Sequence, residues 1–176
     1  MKNKTLFIGM VLVLAGLAAI QYSANRQMPE SGNGNDDSGV AIAAPGDPEM
    51  QNAFNKARRS LDYFLGVAES PPPDTRGFSV KVGVVENELT EFFWVYPFAQ
   101  EEEGFSGRIN STPQIVNNVL EGEVINFERG QIVDWTFEDT ATEIMHGNYT
   151  GCVLLEREAP ENAAQFQKLY GLECNK

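Results

Sequence analysis

The chain has 176 residues and a formal net charge of −12, with 25 acidic residues against 13 Lys and Arg. This length favours one domain with enough chain for a real hydrophobic core. The acidity excludes nucleic-acid binding, because affinity for phosphates comes from clustered Lys and Arg, and is more consistent with a role in solubility.

The N-terminus has the pattern of an export signal. Lys2 and Lys4 precede Leu6–Ile20, an apolar run without a charge, which matches the n-region and h-region of such a signal. The run is shorter than the roughly 20 residues of a full membrane span. Residues 1–24 are therefore predicted to be a signal peptide cut near Ala24 or an uncut N-terminal anchor.

A flexible linker and then a single domain follow. Residues 25–46 are rich in Gly, Asn, Asp and Ser and show no apolar periodicity, which is typical of a flexible tether. The domain, residues 47–176, begins with Asp47 as a helix N-cap and Pro48 at the first helical position. Gly66 and then Pro71-Pro72-Pro73 are predicted to end this helix. Its apolar residues recur at helical spacing: Met50, Phe54, Ala57, Leu61 and Phe64.

Strand patterns come next. Phe78–Val84 alternates apolar with polar residues, which predicts a half-buried strand with Lys81 on the polar side. Phe92–Phe98 is apolar on both faces and is predicted to be central. Gln100–Gly104 is predicted to be a polar turn. Further short strands are predicted at Phe105–Asn110, Val124–Phe127, Ile132–Phe137 and Tyr149–Leu155.

The connections between these elements indicate the fold class. Glu128–Gln131 is predicted to join two strands as a hairpin, and Gln114–Leu120 to form a short helix. A terminal helix is predicted to open at Pro160 and stop at Gly171. Because most connections are too short for helical crossovers, we predict an α+β fold. An N-terminal helix packs on a mainly antiparallel, strongly bent sheet of about five to six strands, with a short C-terminal helix.

Cys152 and Cys174 are the two cysteines of the chain. In an oxidising compartment an even count favours a structural disulfide, and closing a loop of about 22 residues would stabilise the fold by about 3 kcal/mol. Two reduced thiols are the alternative. A redox pair is a third, although the chain has no Cys-x-x-Cys spacing.

Several motifs occur in the order found in a known family. The chain resembles the YegJ-like family, domain of unknown function 2314, over roughly residues 48–155. Members are bacterial and several carry export signals, so the resemblance implies a small α+β domain in the periplasm or cell envelope, released or anchored in the inner membrane. It supplies no established activity. The motifs are Ala53 with Ala57-Arg58 and Phe64-Leu65, Glu91-x-x-Trp94-Val95, Phe105-x-Gly107-x-Ile109-Asn110-x-x-Pro113, Gly122-x-Val124, Ile132-x-Asp134-Trp135 and Gly147-x-Tyr149-Thr150.

One position departs from the family pattern. Members often have His directly after the Glu of the strand motif, and this chain has Phe92 after Glu91. A reaction that needs that His cannot run here.

Asp134 is the first candidate site residue. On a strand, neighbouring side chains point to opposite faces, so Val133, Trp135 and Phe137 are expected in the core and Asp134 on the other face. A partly apolar setting would raise the pKa of Asp134 and suit acid–base chemistry. The alternative is structural: the carboxylate accepts hydrogen bonds from a neighbouring loop's backbone or from Arg108.

Arg108 and Asn110 alternate with Ile109 and are expected to share a face. Arg108 could clamp a ligand carboxylate, whereas the alternative is a cross-strand ion pair on the surface. Asn110 could contact the same ligand or simply form a turn. Tyr149 is expected at the rim of the core, with one hydrogen-bond partner for its hydroxyl.

His146 is the only histidine and has no surrounding metal-ligand spacing. It could act as a base with Asp134 as its orienter, or it could be a turn residue before Gly147. No Gly-x-Ser-x-Gly pattern or other nucleophile context is present.

The residues therefore favour a non-catalytic accessory or binding domain, with no expected cofactor or metal. Its partner is expected to be an unknown protein or a small ligand, which meets a face formed by Arg108, Asn110 and Asp134, with Tyr149. Contact with a membrane is expected only through the N-terminal segment. The alternative function is a small hydrolase or lyase with Asp134 and His146 as acid and base.

Overall fold

The computed structural model describes residues 46–174 and the backbone of a short strand at Ile20–Ser23. Most of the predicted signal or anchor, and residues 25–45 of the predicted linker, lie outside the described residues. The strands are β1 (Ile20–Ser23), β2 (Thr75–Glu86), β3 (Leu89–Gln100), β4 (Phe105–Ile109), β5 (Val124–Phe127), β6 (Ile132–Asp139) and β7 (Ile144–Gly147). The helices are α1 (Pro48–Arg59), α2 (Leu61–Glu69), α3 (Tyr149–Leu155) and α4 (Pro160–Tyr170).

Strands β2 to β7 form one antiparallel sheet in the order β5-β4-β3-β2-β6-β7, and β1 pairs with the start of β3. The sheet is open, and β5 and β7 are its outer strands. This is the predicted α+β class, with a helix before the sheet and a short helix near the C-terminus. Of the helices that the structure describes, none is long and apolar enough to cross a membrane.

Helix α1 begins where the sequence predicts. The Asp47 carboxylate accepts hydrogen bonds from the backbone N–H groups of Glu49 and Met50 at 3.0 and 3.3 Å, which satisfies two donors of the first turn. The predicted apolar stripe is buried, with each side chain at most 4 % exposed: Met50, Phe54, Ala57, Leu61 and Phe64.

The predicted first helix is in fact two helices, which meet at Ser60. Helix α1 ends at Arg59 and α2 begins at Leu61. The Ser60 hydroxyl lies 3.0 and 3.2 Å from the carbonyl oxygens of Lys56 and Ala57. Side-chain bonding of this kind competes with the helical ladder and bends helices. Met50 and Phe54 of α1 pack in one hydrophobic cluster, whereas Leu61 and Phe64 of α2 pack in the main core.

Helix α1 lies beside the part of β6 that β7 leaves uncovered. Strand β7 pairs with residues 136–139 of β6. Before them, the Arg58 side chain donates to the carbonyl oxygen of Ile132 at 3.4 Å, and the Trp135 indole N–H donates to that of Ala57 at 3.1 Å. Helix α1 and strand β7 therefore meet along β6, α1 beside residues 132–135 and β7 beside residues 136–139.

A bulge at Val133 changes the predicted faces of β6. The register between β2 and β6 shifts by one residue there, which bends the strand and re-aims its side chains. Val133 packs beside Phe54 and Phe92 in one cluster, whereas Trp135 stacks on Phe64 in the main core at 5.0 Å. Val133 is buried in the core as predicted, but the prediction that it shares a face with Trp135 is wrong.

The predicted helix at Gln114–Leu120 is a loop. The buried Glu91 carboxylate of β3 accepts hydrogen bonds from the backbone N–H groups of Gln114, Ile115 and Val116 at 2.8, 2.9 and 3.1 Å. Because these donors converge on one distant carboxylate, the loop is held by β3 rather than by a helical ladder. The helix prediction is wrong for this reason.

The predicted hairpin at Glu128–Gln131 is also wrong. Strand β5 pairs with β4, and β6 pairs with β2 and β7. The connection is a short 3-10 turn, in which the backbone N–H of Glu128 donates to the side chain of Gln131 at 2.8 Å. Chain neighbours here are separated in the sheet, so turn chemistry alone gave the wrong pairing.

Tyr149–Leu155, predicted as a strand, is helix α3, and the preceding strand β7 was not predicted. Gly147 and Asn148 have positive φ values of 77° and 54° and turn the chain between them. Helix α4, in contrast, opens at Pro160 and stops at Gly171, which has a φ of 65°, as predicted.

Candidate functional site

Asp134 is fully buried in β6 and caps helix α3. One carboxylate oxygen accepts the backbone N–H groups of Trp135 at 2.9 Å and Tyr149 at 3.2 Å. The other accepts the backbone N–H and the hydroxyl of Thr150 at 2.8 and 2.7 Å. These donors include two of the unpaired N–H groups of the first helical turn, where negative charge is favourable. The structure therefore shows the structural alternative for Asp134: its carboxylate accepts hydrogen bonds from nearby backbone N–H groups and not from Arg108.

Lys81 faces Asp134 across the β2–β6 pair and is 1 % exposed. Its ammonium donates to the Thr150 hydroxyl at 2.8 Å and lies 4.9 Å from the centroid of the Trp94 ring. Burial lowers the pKa of Lys81 to about 8, and the nearby negative charge of Asp134 opposes this shift.

Sequence reasoning did not select Lys81 as a site residue and placed it on the polar side of a half-buried strand. The structure shows both sides of β2 buried from Ser79 to Val84. A single lysine among valines was the available signal, but it is equally typical of an exposed strand face.

Thr150 links the two buried charges. Its hydroxyl donates to Asp134 and accepts from Lys81, so the charges are joined through one side chain. Burial raises the pKa of Asp134, while Lys81 and the hydrogen bonds from Thr150 and Trp135 oppose this. Within residues 46–174 no buried side-chain nitrogen or oxygen lacks a hydrogen-bond partner. The arrangement can anchor α3 to the sheet.

Arg108 and Asn110 do not form one exposed face with Asp134. Arg108 is exposed and donates to the carbonyl oxygen of Gly122 at 2.5 Å, and the Asn110 side chain donates to that of Tyr96 at 2.9 Å. Asp134 is buried under α3. The predicted common binding face is not formed, because the helix that Asp134 caps also covers it.

His146 and Tyr149, in contrast, line a common groove of about 680 Å³ at the junction of α1, β7 and α3. His146 stacks on Phe137 at 4.7 Å between ring centroids. Phe137 and Trp135 lie on one side of β6, opposite to Asp134. His146 is absent from the hydrogen-bond partners of Asp134. The pair required by the hydrolase or lyase alternative is not assembled.

The floor of this groove, named here the α1–α3 groove, is aromatic and carries the hydroxyls of Tyr149 and Ser60. The Tyr149 hydroxyl lies 3.3 Å from the Ser60 hydroxyl oxygen, which also accepts the Trp135 indole N–H at 3.2 Å. Lys56 lies over the Tyr149 ring at 5.1 Å, and the Tyr63 ring, which is 57 % exposed, lies 6.3 Å from the Trp135 ring between centroids. Tyr149 thus has the single hydroxyl partner expected of it.

Cys152 and Cys174 form the predicted disulfide, with their Cα atoms 5.3 Å apart. The bond joins α3 to the segment after α4 and forms part of the groove wall. That segment also pairs with β7, where the Met145 N–H donates to the Gly171 carbonyl at 2.9 Å. Within the described residues, no three His, Cys, Asp or Glu side chains are grouped to hold a metal ion.

Comparison with known proteins gives a family and no activity. No solved structure matches the chain. It is 30 % identical over 118 residues to a protein of Escherichia coli strain K12 described as uncharacterized protein YegJ, covering 67 % of this chain and 74 % of that protein. Residues 47–174 match the family described as uncharacterized protein conserved in bacteria, DUF2314. The chain therefore belongs to the DUF2314 family.

Proposed function

We propose that this protein is a non-catalytic binding domain of the bacterial envelope whose α1–α3 groove binds a small ligand. The groove itself carries this proposal. Its volume of about 680 Å³ falls within the roughly 300–1,000 Å³ of small-molecule sites. Such sites combine apolar and aromatic walls with a few polar groups that fix the orientation of the ligand.

The groove offers both kinds of group. Tyr63 and Tyr149 supply aromatic surface above the buried Trp135 ring, and the Tyr149 hydroxyl supplies a polar contact. Lys56 and Arg59 are basic and Glu49 is acidic at the rim. A ligand that suits this groove has a flat or apolar body and a polar end that reaches the Tyr149 hydroxyl.

The non-catalytic part of the proposal follows from how the ionisable groups are used. Asp134 and Lys81 both form a hydrogen bond with the Thr150 hydroxyl inside the fold, and neither residue lines the groove. A general acid or base must reach its substrate within hydrogen-bond distance. His146 lines the groove without Asp134 as an orienter.

The proposed location rests on two observations. The charged start and apolar run of residues 1–20 match an export signal or anchor, and the Cys152–Cys174 disulfide suits an oxidising compartment. Both support an exported domain that is either released or anchored at its N-terminus.

Ligand-observed and protein-observed NMR with a mixed library of small sugars, amino acids and aromatic acids tests the groove. Binders should perturb the amides of residues near Tyr149, and Tyr63→Ala should weaken their binding by about tenfold, or about 1.4 kcal/mol. Leu169→Ala is the matched control, since Leu169 is 65 % exposed on α4. If the Tyr63 variant binds as tightly as the wild type, the α1–α3 groove is not the ligand site.

A further inference from the structure

Strand β5 (Val124–Phe127) is the outer strand beyond β4, and no strand that the structure describes pairs with its other side. Such an edge presents unpaired backbone groups that can accept another strand. We propose that this edge binds an extended Lys- or Arg-bearing segment of a partner protein by adding it to the sheet. The site is distinct from the α1–α3 groove and does not depend on a ligand there.

The hydrogen-bond register fixes which groups of β5 are available. The backbone N–H of Ile109 donates to the carbonyl oxygen of Glu123 at 2.9 Å. In an antiparallel ladder, every second residue from such a pair bonds to the same neighbour, and the residues between direct their N–H and C=O away. Val124 and Asn126 therefore present two N–H and two C=O groups to the open side.

The side chains of β5 favour addition of a strand. Phe127 is buried in the main core and Ile125 is half-buried against it, so β5 is held firmly to the domain. Val124 is 56 % exposed on the opposite face. An added strand with an apolar residue beside Val124 would cover this surface and complete the backbone ladder.

Carboxylates lie around the β5 edge and favour a positively charged partner. The two ends of β5 and the neighbouring β3–β4 turn carry Glu101, Glu102, Glu103, Glu121, Glu123 and Glu128. The turn is close to β5, because a Cβ built at Gly104 would lie 2.8 Å from the carbonyl oxygen of Phe127. Four of these glutamates line a cleft of about 740 Å³. No ion pair within residues 46–174 engages any of the six.

This charge pattern selects a basic partner over a second copy of the chain. Two copies paired through β5 would bring the same carboxylates together, and like charges on paired strands are destabilising. The Arg108 guanidinium, a nearby cation, donates to the backbone of Gly122. A cationic strand gains both the backbone hydrogen bonds and the attraction of the flanking glutamates.

A labelled peptide of alternating lysine and valine, titrated into the full chain by fluorescence anisotropy, tests the proposal. Asn126→Pro removes an outward N–H without removing a bond to β4, since proline is tolerated at such edge positions. It should weaken binding by at least about tenfold, whereas Asn126→Ala, which keeps the N–H, should bind within about twofold of the wild type. Hydrogen exchange of the Val124 and Asn126 amides should slow in the complex.

A charge series completes the test and does not depend on the proline variant folding. The double change Glu102→Lys with Glu103→Lys should weaken the lysine peptide at least about tenfold, and added salt should weaken the wild-type complex. Glu158→Lys with Glu161→Lys makes the same net change near α4 and should leave affinity unchanged. Failure of the lysine peptide to bind, equal binding of a peptide with glutamate for every lysine, or unchanged affinity of the Glu102 and Glu103 variant would each overturn the proposal.

Discussion

In the buried Lys81–Thr150–Asp134 cluster, substitutions can separate the contribution of the charges to stability from that of the hydrogen bonds. We consider Asp134→Asn, Lys81→Met and the two together. Asparagine keeps one acceptor oxygen but replaces the other with an amide that cannot accept the Thr150 N–H. It also leaves the Lys81 ammonium buried without a counter-charge.

The two single variants should differ in cost. Removal of one partner of a buried pair costs about 3–5 kcal/mol, and Asp134→Asn should fall in this range. Lys81→Met should cost less, about 1–3 kcal/mol. The reason is that the Asp134 carboxylate keeps three N–H donors and one hydroxyl donor, whereas Lys81 has the Thr150 hydroxyl as its hydrogen-bond acceptor.

The double variant should be more stable than the sum of the single losses predicts, by at least about 1 kcal/mol, because it never leaves an isolated buried charge. Urea unfolding followed by far-UV circular dichroism gives all four free energies, and an unchanged m-value confirms that the same transition is compared. If the loss in the double variant equals the sum of the two single losses to within about 0.5 kcal/mol, the Lys81 and Asp134 charges do not interact through Thr150.

Three further predictions concern stability. Because the pKa of Lys81 is about 8 when folded and 10.5 ordinarily, the unfolded chain binds more protons between these values. Stability should therefore rise by about 3 kcal/mol from pH 8 to 10.5, relative to Lys81→Met, in urea titrations. Joint replacement of Cys152 and Cys174 by serine should cost about 3 kcal/mol and abolish the effect of reductant on Tm. Gly147→Ala, whose Cβ would lie 2.1 Å from a backbone oxygen of β6, should cost at least about 2 kcal/mol in thermal unfolding, whereas Gly66→Ala, which has open space, should not destabilise α2.

Local signals in the sequence located the start of α1 and both ends of α4, whereas α2 continues through Gly66 and ends at Glu69, before Pro71. Asp47 and Pro48 mark the start of α1, and Pro160 and Gly171 bound α4, because caps act on backbone groups within the same turn. The apolar pattern of β3 likewise reflects its central position in the sheet. These features require no knowledge of distant residues.

The errors arise where a distant residue decides the local structure. Tyr149–Leu155 has apolar residues that suit a strand or a short helix, and the cap supplied by Asp134, 15 residues earlier, favours the helix. Helix α3 then covers Lys81, which the strand pattern alone placed on a polar face. Misassignment of α3 therefore also led to the wrong environment for both charged residues.

The motifs that carry the family resemblance have structural roles in this chain. Glu91 fixes a loop, Asp134 caps α3, the Trp135 indole joins β6 to α1, and a side chain at Gly107 would meet Val95 at 2.3 Å. Residues with such roles specify a scaffold, whereas ligands are distinguished by the side chains that contact them. The 30 % identity to the Escherichia coli relative therefore transfers the fold more securely than any ligand. Differences in function within the family should be sought at exposed positions of the α1–α3 groove and beside β5, such as Tyr63.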